Sequence, residues 1–215
     1  SGKLNDPDLL FYIGVTYAGG LQNIEQNYTK AAEYFTKSSN LGNLKAFYQL
    51  GLFYMGGKGV ETNYAKAIEC FEKSGQLEDP DILNHIGVLY KRGEGVEQNY
   101  AKAKEYYEKS GNSDALHNLC ILYMEGDGVE KNMPKAIEYF EKSGKLDDPD
   151  MLNNIGVLYK RGEGVEQNYT KAKEYFEKSG NSRALFNLCT MYISGIGVEK
   201  NLSKAIDYFE RSGFK

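Results

Sequence analysis

The stretch that decides the fold reads IGVLYKRGEGVEQNYAKAKEYY over residues 86–107. Residues 82–90 carry apolar side chains three or four positions apart, which is the spacing of one face of an α-helix. Glycines within residues 93–95 end this helix, because glycine adopts a left-handed turn at low cost. A second helix follows Asn99 and places its apolar side chains within residues 103–107 on one side. The stretch therefore predicts a helix hairpin.

The same hairpin recurs along the chain. Each copy has a Lys-Ala pair in its second helix, with the lysines at Lys30, Lys66, Lys102, Lys135, Lys171 and Lys204. The intervals between them are 36, 36, 33, 36 and 33 residues, which is a repeat period. Because one hairpin cannot bury its own apolar face, we predict an all-α solenoid of stacked hairpins forming a single domain, residues 1–215. The six repeats lie at approximately 6–39, 43–75, 79–111, 112–144, 148–180 and 181–213.

Two further positions recur in every copy. The first helix has a glycine or cysteine at a fixed place, at Gly14, Gly51, Gly87, Cys120, Gly156 and Cys189. The second helix is preceded by an asparagine, at Asn27, Asn63, Asn99, Asn132, Asn168 and Asn201. Because an asparagine side chain accepts hydrogen bonds from the first backbone N–H groups of a helix, we expect these residues to be N-caps.

The two ends of the sequence share the phase of the repeats. Residues 1–8 match residues 143–150 at every position but one, and Ser212-Gly213 repeats the Ser-Gly that ends an interior hairpin. We therefore expect a piece of a longer array or of a larger protein. A Ser-Gly scar left by a vector remains an alternative explanation of the first two residues.

The composition argues against several classes of partner. Charged residues make up 26% of the chain, both signs are interspersed, and the net charge is −4. No basic patch for nucleic acid or for an anionic membrane surface is visible. No apolar run approaches the roughly 18 residues that a membrane-spanning helix needs. We therefore predict protein or peptide partners, with neither nucleic acid nor membrane among them.

Residues that commonly carry chemistry are sparse. His85 and His117 lie 32 positions apart without a placed carboxylate or cysteine pair, which makes a poor zinc site. The glycine-rich loops do not follow strands, so they do not indicate a phosphate-binding loop. The one Ser-x-x-Lys, from Ser212 to Lys215, stands at the end of the sequence. We predict no metal, no cofactor and no enzyme activity.

The motifs resemble the Sel-one-like repeat (SLR) family, a relative of the tetratricopeptide repeat with a longer loop inside the hairpin. The residues that carry the resemblance are Ile86-Gly87-Val88-Leu89-Tyr90, Gly93-x-Gly95-Val96 and Asn99-x-x-Lys102-Ala103-x-x-Tyr106-Tyr107. The resemblance covers all six copies, although Cys120 and Cys189 depart from the family's glycine. It implies a right-handed α-α superhelix whose first helices line a concave face, and a role as a scaffold or adaptor.

Two pairs of repeats are near duplicates. Residues 79–144 align without a gap with residues 148–213 and differ at fifteen positions. Six differences fall in one first helix, at Asp114/Arg183, His117/Phe186, Ile121/Thr190, Leu122/Met191, Met124/Ile193 and Glu125/Ser194. Positions 114, 117, 121 and 124 share one side of that helix. By the resemblance they line the groove, which favours a face diversified for ligand contact; clustering by chance is the alternative.

The candidate binding residues combine this face with a row of amides. An amide offers both a donor and an acceptor to an extended peptide backbone. Lysines one turn further on are suited to carboxylates, and aromatic side chains form apolar pockets. The candidates are Tyr48, Asn84, Lys91, Asp114, His117, Asn118, Ile121, Met124, Asn153, Asn154, Lys160, Arg183, Phe186, Asn187 and Thr190. The alternative is that the amides hydrogen-bond the neighbouring repeat or water.

Cysteine spacing and sequons favour a cytoplasmic location. Cys120 and Cys189 lie two repeats apart, at least ~16 Å at ~8–10 Å for each layer of helices. A disulfide needs Cα atoms within ~7 Å, so we expect reduced thiols. The three Asn-x-Ser/Thr sequons, at Asn27, Asn168 and Asn201, use the predicted caps, and a glycan there would conflict with capping. An extracytoplasmic or endoplasmic-reticulum location stays open.

Two functions follow from these observations. The first is a non-enzymatic protein-interaction scaffold that binds an extended peptide or a partner domain on the face of the first helices. The second is a structural array that self-associates head to tail through its terminal repeats, where Leu9, Tyr12, Ile206 and Phe209 would be exposed.

Overall fold

The computed structural model describes residues 6–21, 23–75 and 77–214. Within these ranges the chain forms twelve α-helices and no strand. The helices are α1 (Pro7–Gly19), α2 (Tyr28–Asn40), α3 (Leu44–Gly56), α4 (Tyr64–Ser74), α5 (Pro80–Arg92), α6 (Tyr100–Ser110), α7 (Ser113–Glu125), α8 (Met133–Ser143), α9 (Pro149–Arg161), α10 (Tyr169–Ser179), α11 (Ser182–Ser194) and α12 (Leu202–Ser212). We call the odd-numbered helices A and the even-numbered helices B.

Each helix A packs against the helix B that follows it, which gives six hairpins. The hairpins group into two compact units that divide between Ser110 and Gly111. The first unit contains α1 to α6 and the second contains α7 to α12. The predicted class, an all-α repeat protein built from six helix hairpins, is confirmed.

The six predicted asparagine caps are also confirmed. In every hairpin the cap Oδ1 accepts a hydrogen bond of 2.9 Å from the backbone N–H three residues further on. The backbone N–H of each cap also donates to the carbonyl of a helix A tyrosine, as Asn99 does to Tyr90 at 2.8 Å. Because the cap is held at both ends, it fixes the length and the path of the loop between the helices.

In the hairpins that have a glycine anchor, an aromatic ring of helix B lies directly on that glycine. A Cβ added to Gly156 would lie 2.6 Å from Cε1 of Phe176, and one added to Gly87 would lie 2.5 Å from Cε1 of Tyr107. No real Cβ contact is that short, so only glycine permits this approach of the two helices. In α7 and α11 a buried cysteine, Cys120 or Cys189, takes the place of the glycine.

The tyrosines at the ends of the A helices are packing residues. Five hairpins of the described chain stack a helix A tyrosine on a helix B tyrosine, with ring centroids 5.6–5.7 Å apart. The lysine of each Lys-Ala pair lies over the helix A ring, at 4.5 Å from the Tyr123 centroid for Lys135. In the second hairpin Cys70 stands where the second tyrosine would be. These rings therefore make their contacts inside the hairpins.

Successive hairpins of a unit are joined through their B helices. The Tyr106 hydroxyl donates to Glu72 Oε1 at 3.2 Å, and the Tyr175 hydroxyl donates to Glu141 Oε1 at 2.6 Å. Burial, together with the neighbouring carboxylate, raises the pKa of both tyrosines. These contacts fix the register between neighbours and leave the A helices to carry the candidate site.

Candidate functional site

In the first unit, the candidate residues lie on α3 and α5. Tyr48 is half-buried, and its ring meets Phe71 edge-on with centroids 5.6 Å apart. Burial, helped by the carboxylate of Asp79, raises the pKa of Tyr48. Asn84 and Lys91 are both half-buried on α5. Tyr48 thus belongs partly to the packing of its own hairpin.

On α7, two candidates are engaged within the second unit. The exposed Asp114 forms an ion pair with Lys145, which follows the end of α8. The His117 ring faces Phe140, with ring centroids 6.3 Å apart. The charge of Asp114 and the ring of His117 are therefore both in contact with residues of the same hairpin.

The other α7 candidates are all half-buried. Asn118 and Ile121 keep part of their surface open to solvent. Met124 packs against the core cluster that contains Phe140 and Leu152, and its Sδ lies 3.7 Å from Cys120 Sγ. Met124 is therefore mainly a packing residue, although the helical spacing placed it with the candidates.

Polar candidates of α9 and α11 meet directly. Lys160 Nζ donates to Asn187 Oδ1 at 3.1 Å and approaches Thr190 Oγ1 at 3.5 Å. Asn187 Nδ2 donates to Asn153 Oδ1 at 3.4 Å and to the Arg183 carbonyl at 3.1 Å. This network joins two hairpins along a line of four side chains. We call Asn153, Lys160, Arg183, Phe186, Asn187 and Thr190 the α9–α11 face.

Accessibility differs within this face and beside it. Asn153 is only 5% exposed, so its oxygen serves Asn187. Arg183 and Asn154 are exposed. Phe186 is 43% exposed, and its ring meets Phe214 edge-on at 5.4 Å. The less exposed amides, Asn153 and Asn187, thus lie beneath the exposed side chains of Arg183 and Phe186.

Lys160 is the electrostatic centre of the face. Burial, with a smaller contribution from neighbouring Arg161, lowers the pKa of Lys160. Of the acids in α9 and the loop after it, Asp150 accepts from Asn181 Nδ2 at 3.0 Å and Glu163 pairs with Arg161 at 3.2 Å, and neither pairs with Lys160 among the described residues. The centre of the face therefore carries positive charge and amide donors.

Sequence reasoning missed the partners that follow helix B. Lys145 and Phe214 occupy equivalent places after the terminal Ser-Gly of their hairpins, and each folds back on its own helix A. The contacts are Asp114 with Lys145 and Phe186 with Phe214, and they use different positions of helix A, because Asp114 aligns with Arg183 and Phe186 with His117. A sequence signal was present, because each of these contacting residues differs from its counterpart in the other duplicate.

One open surface hollow of the described residues lies beside two B helices. This hollow of 430 Å³ between α4 and α6 is lined by Glu72, Tyr106 and Lys109 among others. Among the described residues no three potential ligands gather to hold a metal ion. No described helix has the length and hydropathy needed to cross a membrane.

Comparison with known proteins gives the family. The Sel1 repeat model matches residues 7–43, 45–79, 83–114, 113–148, 149–181 and 182–213. No curated protein matches the sequence.

Two solved structures are similar over nearly the whole chain. One is c5321, described as a protective antigen of uropathogenic Escherichia coli with an SLR fold. It is 28% identical with a TM-score of 0.62, over 98% of this chain and 46% of that one, so this chain spans less than half of it. A Sel1 repeat protein from Oxalobacter formigenes is 26% identical with a TM-score of 0.52, over 97% of this chain and 88% of that one. Since the six matches span most of its length, the chain belongs to the Sel1 repeat family, whose repeats generally serve as non-catalytic scaffolds for protein–protein interaction.

Proposed function

We propose that the chain is a non-enzymatic scaffold that binds an extended peptide segment of a partner protein on its A helices. The α9–α11 face is the centre of that surface. Within the second unit, Asn118 and Ile121 of α7 are further proposed contacts. Tyr48, Asn84 and Lys91 are proposed contacts on the A helices of the first unit.

The observation that carries the proposal is the network of Lys160, Asn187 and Asn153 beside the exposed Phe186. Amide groups that are already oriented by the protein pair with a peptide backbone at little cost in side-chain entropy. A neighbouring aromatic side chain supplies the apolar contact on which affinity usually depends. The face is an open surface, which suits a chain ligand better than a small molecule.

The B helices support the same assignment by contrast. Their exposed charges are largely paired within one helix, as in Lys109 with Glu105 at 2.7 Å and Lys142 with Glu138 at 2.5 Å. Such pairs are mutually satisfied and leave little unmet bonding capacity for a partner. The A helices of the second unit instead present Lys160, which has no carboxylate partner among the described residues.

The test is selection of peptides from a displayed library of random linear sequences, with the whole chain as bait. A variant with Phe186→Ser and Asn187→Ala removes one apolar and one polar contact of the face. A control variant with Glu174→Ala and Lys178→Ala changes two exposed residues of α10 instead.

We expect the selected peptides to bind the wild-type chain and the α10 control, and to lose binding to the face variant. Circular dichroism and the melting temperature establish that all three proteins fold. Selected peptides that bind the folded face variant as tightly as the wild-type chain would place the site elsewhere and overturn the proposal.

A second function, head-to-tail assembly, has a specific observation in its favour. On α12, Leu202, Ile206 and Phe209 are 67%, 58% and 40% exposed. Their counterparts on α8 include Ile137 and Phe140, which are at most 4% exposed because the cluster they share with α9 covers them. The occupant we propose for the α12 stripe is α1 of a second copy, a helix A that exposes Leu9 and Tyr12.

Light scattering at rising protein concentration tests this assembly. Head-to-tail growth predicts a mean mass that keeps rising, and Ile206→Glu on α12 should stop the growth. A monomer at every concentration would exclude assembly while leaving the scaffold proposal unaffected. A closed dimer that persists in Ile206→Glu would also exclude it.

A further inference from the structure

Lys160 holds its charge among neutral oxygen atoms. Its described partners are Asn187 Oδ1 and Thr190 Oγ1, at 3.1 and 3.5 Å. The ion pairs of the described chain join other cations to carboxylates, and none includes Lys160. Taking an ammonium partly out of water is unfavourable when no anion compensates for the lost hydration. The site therefore has unmet capacity for an anion.

The ammonium also fixes the orientation of both amides. Because Lys160 only donates, Asn187 must turn its oxygen toward Nζ, and its Nδ2 is then directed to Asn153 Oδ1. Asn153 accepts this bond, so its own Nδ2 faces away from Asn187. Within the described residues that Nδ2 donates no hydrogen bond. The direction of these hydrogen bonds thus leaves donor groups, and not acceptors, available to a ligand.

A second cation borders the network. Arg183 is exposed one turn before Asn187, and its guanidinium has no ion pair among the described residues. In α9 and the loop that follows it, Asp150 accepts a hydrogen bond from Asn181 and Glu163 pairs with Arg161. No ion pair of the described residues places a carboxylate on Lys160 or Arg183.

We propose that the α9–α11 face recognises an acidic side chain of the bound peptide, with its carboxylate paired to Lys160. This inference rests on the proposed function, because it specifies which peptides that face selects. Asn187 holds Nζ in place, Arg183 contacts the same or a neighbouring acid, and Phe186 packs against the flanking residue. The carboxylate supplies an anion to Lys160, for which the described residues provide no ion pair.

A comparison of α11 with α7, position by position, explains why we assign the preference for an acidic side chain to α9 and α11. α7 has Asp114 where α11 has Arg183, and Ile121 where α11 has Thr190. Asp114 repels a carboxylate and is itself paired with Lys145. Ile121 offers no hydroxyl group to hold a lysine in place. The sequence differences between the duplicates therefore favour anion binding at α11 and disfavour it at α7.

The test uses short synthetic linear peptides made in matched versions with Glu or Gln at each position. Peptide binding is measured for the folded wild-type chain, for Lys160→Gln and for Lys142→Gln. The last variant removes the same charge from an exposed lysine of α8 and is the control. We expect the wild-type chain and Lys142→Gln to prefer a Glu version by roughly tenfold. Lys160→Gln should lose that preference, and raised salt should weaken it in the other two proteins.

The other outcomes separate the two proposals. Equal affinity of the wild-type chain for Glu and Gln versions, with binding that still depends on Phe186, overturns the acidic preference and leaves the scaffold in place. A Glu preference that survives in Lys160→Gln shows that another residue reads the acid and also overturns it. If no peptide binds the wild-type chain, both proposals fail.

Discussion

Helices α7 and α11 occupy equivalent places in two near-identical stretches of sequence, yet their surfaces differ. In α7 the exposed Asp114 is neutralised by Lys145, and the His117 ring faces Phe140. In α11 Arg183 has no acid partner among the described residues, and Phe186 stays 43% exposed. The shared hairpin leaves these positions free to change, because caps, anchors and tyrosine stacks elsewhere hold the fold.

The comparison separates residues that build a hairpin from residues that give it a surface. Both helices keep a buried cysteine anchor, the same leucine before it and the same tyrosine after it. Four of the six differences, at positions 114, 117, 121 and 124, share one side of the helix, and those at 114 and 117 alter charge and aromatic character. Four changes, placed in order of expected effect, test this separation.

The largest effect is expected from Gly156→Ala, which attacks the hairpin rather than its surface. The new Cβ would lie 2.6 Å from the Phe176 ring. Overpacking of a core usually costs about 1–3 kcal/mol, and only part is regained from the better helix propensity of alanine. We expect a net loss of about 2 kcal/mol in the free energy of unfolding, measured by urea denaturation.

Cys189→Ala is the matched control on α11, because it removes a sulfur without adding volume. It should cost about 1 kcal/mol or less. The double variant Gly156→Ala with Phe176→Leu should recover part of the loss by making room for the new methyl group. Equal stability of Gly156→Ala and the wild-type chain would show that the ring does not press on the glycine.

The next effect is expected from giving α11 the surface of α7. Arg183→Asp, Phe186→His and Thr190→Ile together should leave the fold intact, since α7 carries these residues on an equivalent backbone. They should lower the affinity for acidic peptides by at least roughly tenfold, which corresponds to about 1.4 kcal/mol of binding free energy. Isothermal titration calorimetry measures this change. The reverse changes on α7 form the control and should not weaken binding at α11.

A smaller effect is expected at another difference between the duplicates, Tyr107 and Phe176. The Tyr107 hydroxyl is fully buried and has no hydrogen-bond partner among the described residues. Removing an unsatisfied buried group relieves its desolvation cost, so Tyr107→Phe should stabilise the chain by about 1 kcal/mol. Phe176→Tyr should lose a similar amount.

The same pair makes a prediction about pH. Burial raises the pKa of Tyr107 to about 12, while an unfolded tyrosine titrates near pH 10. The titration of this group therefore leaves the free energy of unfolding unchanged below about pH 10 and lowers it as the pH rises toward 12. Melting temperatures in that range should fall less steeply for Tyr107→Phe, and parallel curves would contradict the assignment.

The smallest effect is expected from Asp114→Asn on α7. Its ion pair with Lys145 lies at the surface, and such pairs contribute about 0–1 kcal/mol. We expect a loss below about 0.5 kcal/mol in the free energy of unfolding, reduced further by salt. A loss comparable to that of Gly156→Ala would make the pair part of the hairpin's construction.

Much of the fold was predictable because its determinants are local and repeated. The Asn99 cap and the position of the Gly87 anchor recur in the other copies, so the same interpretation applied to all six. The helical spacing also selected the residues of α9 and α11 that meet. Local rules were enough where one hairpin decides the contact.

What remained unpredicted depends on contacts between segments distant in sequence. Spacing placed Met124 with the surface residues, whereas its flexible side chain fills a gap beside Cys120. The amide row did not reveal that Asn153 is covered while Asn154 is exposed. Lys145 and Phe214 lie after the helices, and their return to helix A depends on the turn that follows Ser-Gly.

The most direct test of the account is an NMR titration of the ¹⁵N-labelled chain with a Glu-containing peptide selected from the library. The account predicts that the side-chain amide signals of Asn187 and the backbone signals of α9 and α11 shift. Signals of α8 and α10 should stay in place. Shifts confined to the B helices, with Asn187 unchanged, would contradict a binding site on the A helices.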